Sequence, residues 1–258
     1  MAGNLFDLTG KVAVVTGSTK GIGKAIARGL AEHGARVVIS SRKADAVEAV
    51  VAEMKADGLD AIGIPCNISD LDQVKMLIAE TRKAWGQVDV LVANAAVNPY
   101  YGSALDIPES AFDKIMDVNI KSNLWLCREV IPEMRERRDG AIMIVSSIGG
   151  VRGNPVIGAY CISKAADMQM VRNLAIEFGK DNIRVNCIAP GLVKTDFARA
   201  LYENPEVAAR KTEATPLRRL GEPEDLAGIA VYLAARAGSW TTGQTFCIDG
   251  GVTVGGEA

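Results

Sequence analysis

Residues 12–23 read VAVVTGSTKGIG, and this stretch decides which fold the sequence predicts. A run of β-branched residues at 12–16 ends at a turn with three glycines, and a helical pattern follows at 24–32. Glycines let a backbone turn tightly and approach a pyrophosphate, whose charge then faces the amide groups at the start of a helix. Strand-to-helix turns use glycine anyway, but three glycines between the first strand and the first helix favour a dinucleotide-binding turn.

The alternation of strand and helix continues along the chain. Seven short runs have the continuous apolar character of strands that are covered on both faces. They lie at residues 12–16, 36–41, 61–65, 90–93, 141–146, 183–189 and 245–248. Helices are predicted between them, with starts at Ser69 and Asp106, each followed by an acidic residue three positions later. This order predicts an α/β fold, a Rossmann-type doubly wound parallel sheet of about seven strands with helices on both faces.

The composition fits one domain. The chain has 258 residues, 48% hydrophobic and 23% charged, enough for the core of one large α/β domain, and no linker divides it. We therefore expect a single catalytic domain over residues 1–258. A net charge of −2 without a long Lys/Arg run argues against a nucleic-acid partner. Without a signal segment or a membrane-length apolar run, we expect no membrane partner and a cytoplasmic location.

Cysteine and histidine residues do not indicate a metal site. The five cysteines are far apart and form no CxxC pair. The one histidine, His33, lies on a predicted helix without a neighbouring ligand or triad partner. We expect no bound metal, and these patterns argue against a histidine-based hydrolase.

A tyrosine and a lysine lie four residues apart after the fifth predicted strand. At that spacing Tyr160 and Lys164 share a helix face, so the phenol and the ammonium group can point into one cleft. An ordinary tyrosine pKa of about 10 is too high for efficient proton exchange near neutrality, and a nearby cation lowers it. Such a pair alone is common on exposed helices. Ser147, at the end of the fifth predicted strand, carries a hydroxyl that can hydrogen-bond a carbonyl group in the same cleft as Tyr160. Asn119, in the middle of a predicted helix, has no role by itself.

Together these motifs make the chain resemble the short single-domain branch of the short-chain dehydrogenase/reductase family. The resemblance covers about residues 8–251 and is carried by residues 16–23, Asn94-Ala95, Asn119, Ser147, Tyr160, Lys164 and Pro190-Gly191. Residues 94–99 and 218–225 also resemble those of NADP-dependent carbonyl and retinal reductases.

The resemblance implies a hydride transfer with four catalytic residues. Tyr160 would donate a proton to the substrate oxygen in reduction and remove it in oxidation. Ser147 would orient and polarise the carbonyl, and Lys164 would lower the tyrosine pKa and hold ribose hydroxyls. Asn119 would position a water that relays protons to Lys164. The protein would supply position and electrostatics, since the hydride comes from nicotinamide.

The resemblance also implies the residues that bind the dinucleotide. The sequence departs from the family pattern at one of these positions, Asn67, and at Ala96, which lies two residues after another of them, Asn94. Ala96 replaces a glycine after Asn94, which we expect to alter packing rather than activity, and Asn67 replaces an aspartate near the adenine. The implied positions are Gly17, Thr19, Lys20, Gly21, Ile22, Gly23, Ser41, Arg42, Asn67, Ile68, Asn94, Pro190, Gly191, Val193 and Thr195.

The residues after the second strand predict NADP(H) rather than NAD(H). An acid about 20 positions past the glycine turn binds a free ribose 2′-hydroxyl and would repel a 2′-phosphate. Residues 39–43 read ISSRK and contain no carboxylate. Arg42 can grip a phosphate through its planar fork, Ser41 can donate a hydroxyl, and Lys20 can add a second charge. NAD(H) stays possible if Arg42 only solvates the surface and Asp45 binds the ribose.

Aromatic and apolar residues near the site predict a small or medium-sized apolar carbonyl or secondary alcohol as substrate. The predicted lid, residues 195–215, carries Phe197, Leu201 and Tyr202, and the loop after the fourth strand carries Tyr100. Lid aromatics are equally common in ordinary packing.

Three other functions are compatible with this fold. A non-catalytic cofactor-sensing protein is disfavoured because all four catalytic positions are retained. A sugar epimerase or dehydratase normally adds a C-terminal substrate region, and an enoyl reductase usually has a wider tyrosine-to-lysine spacing. The resemblance further implies a homotetramer, formed by the helical segments at residues 111–138 and 159–178, although an internal core can also absorb their apolar residues.

Overall fold

Seven parallel strands form one sheet in the computed structural model, which describes residues 4–255. The strands are Val12–Thr16 (β1), Arg36–Ser40 (β2), Ala61–Gly63 (β3), Val90–Ala93 (β4), Gly140–Val145 (β5), Ile183–Pro190 (β6) and Thr245–Ile248 (β7). Their order across the sheet is β3-β2-β1-β4-β5-β6-β7, and all neighbouring pairs are parallel. The predicted doubly wound Rossmann-type fold is confirmed.

Helices cover both faces of the sheet. They are Gly21–Glu32 (α1), Ala44–Ala56 (α2), Leu71–Trp85 (α3), Glu109–Met116 (α4), Ser122–Arg137 (α5), Gly158–Phe178 (α6), Pro205–Ala214 (α7), Ala227–Ala234 (α8) and Val252–Gly255 (α9). Residues of α1, α2 and α8 pack on one face, and residues of α3, α5 and α6 pack on the other. In β1, Val15 faces the first layer and Val14 the second, which explains why the strand is apolar at successive positions. Within residues 4–255, none of the helices combines the length and the apolar character that a membrane crossing needs.

Two predicted helix starts are wrong. The cap of α3 is Asp70 instead of Ser69, and its carboxylate accepts two hydrogen bonds from the first turn of the helix. The helix α4 follows Pro108 without any side-chain cap, so Asp106 does not cap it. Capping depends on the backbone conformation at one residue, which a spacing pattern does not determine. Several predicted strand ends also differ by one or two residues from those of the ladder.

The turn between β1 and α1 is too tightly packed for side chains. Gly17 and Gly21 have φ values of 64° and 53°, in the left-handed region that favours glycine. A Cβ atom on Gly23 would lie 2.4 Å from the Gly17 carbonyl oxygen and 2.5 Å from the side-chain nitrogen of Asn94. The start of α1 therefore packs directly against the turn and against the residue that follows β4.

We expect Gly23→Ala to lower the free energy of unfolding by about 2–3 kcal/mol, because backbone and a hydrogen-bonded amide would have to move. Gly228→Ala is the matched control, since it adds the same methyl group to an exposed helical position with no heavy atom within 4 Å. That control should be neutral or slightly stabilising. Urea unfolding of both variants measures the difference, and equal midpoints would contradict the tight packing.

Candidate active site

The four predicted catalytic residues come from three neighbouring elements. Ser147 follows β5, Tyr160 and Lys164 lie in the first turns of α6, and Asn119 lies in a π-helical turn, Asp117–Lys121, between α4 and α5. The Ser147 hydroxyl lies close enough to the Tyr160 phenol to lower the pKa of the phenol. The Nζ atom of Lys164 lies 5.7 Å from the centre of the Tyr160 ring. The structure thus brings the serine, the tyrosine and the lysine into one cluster.

Asn119 connects the catalytic helix to the loop after β4. Its side chain is completely buried, and its amide donates to the Val97 carbonyl oxygen at 3.1 Å and to the Ser163 hydroxyl at 3.0 Å. The Asn119 Oδ1 atom accepts from the Val97 N–H at 2.9 Å. Ser163 in turn donates to the Tyr160 carbonyl oxygen at 2.7 Å. The predicted continuous helix over residues 111–138 is interrupted here, and π-helical turns of this kind often occur at functional sites.

Burial and charge change the pKa of Tyr160 in opposite directions. Burial raises the pKa of the phenol because a phenolate loses its hydration. The positive charge of Lys164 and the hydrogen bond with Ser147 lower it. Burial has the larger effect in the protein alone, so the pKa is above its ordinary value, where the sequence predicted a lowered one. The prediction took account of the cation but not of the depth of burial.

Sequence reasoning missed two polar residues behind the lysine. Lys164 Nζ donates to the Val145 carbonyl oxygen at 3.0 Å and to the Asp167 carboxylate at 3.1 Å. The Asn123 amide donates to the other oxygen of Asp167 at 3.0 Å. A signal was available, because Asp167 is a lone acid within an apolar part of the helix, three residues after Lys164. Asn123 lies four residues after Asn119, on the same helix face.

The glycine turn has the features of an anion-binding site. The amide of Asn94 donates to the carbonyl oxygens of Thr16 and Gly17, at 2.9 and 3.2 Å, and so holds the turn against the end of β4. The first turn of α1 contains no acidic residue, and the residue at its N-cap, Lys20, makes no side-chain cap. Free amide groups and a positive dipole at a helix N-terminus attract phosphate. These residues therefore fit a pyrophosphate.

The segment after β6 lies opposite this turn. A Cβ atom on Gly21 would lie 3.0 Å from the methyl group of Thr195. Pro190 ends β6, and a Cβ atom on Gly191 would lie 2.8 Å from the Cα of Asp249. Val193 pairs with Gly221 in an isolated β-bridge. The predicted cofactor positions at residues 17–23 and 190–195 therefore line the same edge of the sheet.

The residues predicted to bind the adenosine end of the dinucleotide, including its 2′-phosphate, differ in exposure and in their contacts. Arg42 is exposed and has no hydrogen-bond or ion-pair partner within residues 4–255, and Ser41 beside it is half-buried. The ammonium group of Lys20 lies 2.9 Å from the carboxylate of Asp196, in the predicted lid. The side-chain oxygen of Asn67 accepts from the Ser69 N–H at 3.3 Å. Ile68 is buried in the core beneath this edge.

The predicted lid consists of a 3₁₀ helix, Asp196–Leu201, and α7. The Phe197 ring is half exposed, and its centre lies 6.1 Å from that of Tyr160. Leu201 is exposed, whereas the Tyr202 hydroxyl donates to the Thr195 carbonyl oxygen at 3.1 Å and stabilises the lid itself. In the loop after β4, Tyr100 packs over Gly102, which pairs with the residue just before α6. Among the predicted substrate residues, Phe197 has a ring contact with Tyr160 of the cluster.

Curated proteins of similar sequence are oxidoreductases by name. A family model described as enoyl-(acyl carrier protein) reductase matches residues 17–253. The cattle protein "dehydrogenase/reductase SDR family member 4" is 45% identical over 244 residues, which are 95% of this chain and 88% of the relative. The human protein "dehydrogenase/reductase SDR family member 2, mitochondrial" is 42% identical over 243 residues, or 94% and 86% of the two chains.

Solved structures of similar fold contain either nucleotide. A 7α-hydroxysteroid dehydrogenase complexed with NADH and 7-oxo glycochenodeoxycholic acid has a TM-score of 0.93 and 36% identity, with 97% of each chain covered. A putative gluconate 5-dehydrogenase from Beutenbergia cavernae with bound NADP has a TM-score of 0.92 and 34% identity, with 97% of this chain and 99% of the other covered.

Proposed function

This chain belongs to the short-chain dehydrogenase/reductase family, and from that membership we propose a specific reaction. The enzyme transfers a hydride between NADP(H) and a carbonyl or secondary alcohol on a small or medium-sized apolar molecule. The whole chain acts as one catalytic domain, with residues 195–215 as the substrate lid. The observation that carries the proposal is the buried contact of Tyr160 with Ser147 and Lys164, beside a glycine turn that fits a pyrophosphate.

Each side chain of the cluster has a distinct task in this reaction. The bound nicotinamide supplies or accepts the hydride. Tyr160 donates its phenolic proton to the carbonyl oxygen in reduction and takes up the alcohol proton in oxidation. Ser147 hydrogen-bonds the same oxygen and the tyrosine, which orients both. The charge of Lys164 stabilises the phenolate that remains after proton transfer. Asn119 holds the loop after β4 against the catalytic helix and positions the relay water.

The dinucleotide site follows from the same edge of the sheet. The turn that contains Gly17, Thr19, Gly21, Ile22 and Gly23 would hold the pyrophosphate. The residues from Pro190 to Thr195 would hold the nicotinamide carboxamide. Asn67, Ile68 and Asn94 would line the adenine and ribose side.

Enoyl reduction is a second candidate, because the matching family model carries that description. The four-residue spacing of Tyr160 and Lys164 favours carbonyl chemistry instead. An assay panel of ketones, aldehydes, secondary alcohols and an enoyl thioester, each with both nucleotides, distinguishes the two. The oxo group of the bile acid bound to one structural neighbour supports ketones as the first compounds to test. Turnover of the enoyl thioester alone would contradict the proposal.

We expect Tyr160→Phe to lower kcat by about 10²- to 10⁴-fold, because it removes the hydroxyl that exchanges the proton. Dinucleotide affinity and Tm should remain close to those of the wild type. Tyr232→Phe is the matched control, since Tyr232 lies on α8, outside the cluster, and its hydroxyl bonds to Thr241 Oγ1 at 2.8 Å. Steady-state kinetics and fluorescence titration measure both quantities, and near-normal turnover of Tyr160→Phe would disprove its role.

The preference for NADP(H) rests on the exposed, unpaired guanidinium of Arg42. We expect Arg42→Asp to lower kcat/KM for NADPH by about 10- to 100-fold, because a charge-assisted contact is lost and a like charge is introduced. The value for NADH should be unchanged or higher. Lys43→Asp is the control, with the same charge change one residue further on. A wild type that already favours NADH would contradict the proposal.

We also propose that the protein is a homotetramer. Two apolar residues of the segment 159–178, Met168 and Val171, lie in the internal core. The predicted interface helices nevertheless expose large apolar side chains, which supports the assembly. They are Phe112, Leu124, Ile162 and Ile176. A cytoplasmic location stays a prediction of the sequence, and the human relative is named as a mitochondrial protein.

Light scattering at micromolar concentration should give a molar mass equal to that of four copies of the chain. Ile176→Glu should shift the population to smaller species, because a charge would be buried at the contact of α6 with its symmetry mate. Met76→Glu, on an exposed apolar position of α3, is the control and should leave the mass unchanged. A wild type that is monomeric throughout would rule out the tetramer.

A further inference from the structure

Lys164 has an acidic partner on the core side of the site. Asp167 lies three residues further along α6, and neither side chain is more than 2% exposed. Lys164 Nζ donates to Asp167 Oδ2 at 3.1 Å, and the Asn123 amide on α5 donates to Asp167 Oδ1 at 3.0 Å. Both carboxylate oxygens therefore accept from N–H donors. This arrangement suits the ionised form, which has only acceptor atoms.

A lysine at this position needs a counter-charge. An ammonium group removed from water loses its hydration, and a buried lysine without a partner gives up its proton. Burial is the largest influence on the pKa of Lys164 and lowers it. The charge of Asp167 is the largest influence that raises it, the hydrogen bond to Asp167 acts in the same direction, and on balance the pKa is raised. A neutral lysine would not lower the pKa of the Tyr160 phenol.

We propose that Asp167 is a positioning residue of the catalytic site, the counter-ion that keeps Lys164 charged and fixed beside Tyr160. The inference rests on the roles proposed above for the lysine and the tyrosine. Asn123 completes the arrangement, because its amide also donates to the Asn119 carbonyl oxygen at 2.7 Å. A continuous chain of contacts thus runs from Lys164 through Asp167 and Asn123 to the π-helical turn.

The other titratable groups around the pair are uncharged near neutral pH. Tyr160 faces it from α6, Cys127 from α5 and Cys187 from β6. Burial raises the pKa of each cysteine thiol to about 12. The element β5 contributes a neutral carbonyl oxygen. Among these groups, Asp167 supplies the negative charge that balances the lysine.

NMR of the cofactor-free protein with ¹³C-labelled lysine measures the titration of Lys164, whose signal is identified by its absence in Lys164→Met. Asp167→Asn keeps the shape of the side chain and removes its charge. We expect the Lys164 midpoint to fall by at least about 1 pH unit in this variant. Ser122→Ala removes another buried hydrogen bond of α5, to the Val118 carbonyl oxygen, and should leave the midpoint unchanged. An unchanged midpoint in Asp167→Asn would overturn the proposal.

Kinetics connects this titration to catalysis. Because carbonyl reduction requires a charged Lys164, the alkaline limb of kcat against pH should move to lower pH in Asp167→Asn by the same amount, with little change in KM for the carbonyl. A lysine midpoint that moves while this limb stays in place would also overturn the proposal. An ion pair that matters for stability alone would lower Tm and shift the lysine midpoint, but it would leave this kinetic limb in place. The NMR arm needs no substrate or dinucleotide, so it is independent of the proposed reaction.

If Asp167→Asn does not fold, Lys164→Met tests the same pair from the other side. Burial raises the pKa of the Asp167 carboxyl, and Lys164 opposes that rise. Removal of the cation should therefore raise the carboxyl midpoint by at least about 1 pH unit. The ¹³C-carboxyl signal is identified by its loss in Lys164→Met/Asp167→Leu, a pairing that leaves no buried charge and should fold. An Asp167 titration that is the same with and without Lys164 would overturn the proposal.

Discussion

The contact of Gly23 with the carbonyl of Gly17 and the amide of Asn94 is the constraint on which the rest of the site depends. It brings the N-terminus of α1 against the ends of β1 and β4, the two neighbouring strands at the centre of the sheet. On the β4 side, the Asn94 amide donates to a carbonyl oxygen of the turn. On the opposite side, Gly21 packs against Thr195 of the segment after β6. The amides proposed to bind phosphate, the helix that carries the proposed catalytic residues and the predicted lid therefore share one edge, because all seven strands end there.

The proposed catalytic cluster is buried, and burial opposes the proton transfer that we propose for it. A buried tyrosine holds its proton more tightly, and a buried lysine tends to lose its own. The cation lowers the pKa of the phenol, and the anion behind it maintains the cation. Tyr160, Lys164 and Asp167 are thus electrostatically coupled along one helix. At one end of this series the Ser147 hydroxyl lies beside Tyr160, and at the other end the Asn123 amide donates to Asp167.

Much of the fold followed from local pattern, and the errors have local reasons. All seven strands were predicted because runs of apolar β-branched residues reflect burial on both faces. The predicted cap at Ser69 was wrong because the adjacent Asp70 caps α3, and the one at Asp106 was wrong because α4 begins after Pro108 without a side-chain cap. The cofactor role of Lys20 and the substrate role of Tyr202 stay predictions. In this structure Lys20 pairs with Asp196, 176 residues away, and the Tyr202 hydroxyl bonds to the Thr195 carbonyl oxygen.

By itself, the sequence determined the parallel α/β sheet, the glycine turn and the spacing of Tyr160 and Lys164, because these depend on residues near one another in the chain. Only the tertiary structure decided the raised pKa of Tyr160 and the partners of the buried Asn119. It also decided the pairing of Lys164 with Asp167 and of Asp167 with Asn123, which lies 44 residues away on another helix. Hydration loss and hydrogen bonds across elements depend on how the helices pack on the sheet, and no local spacing encodes that packing.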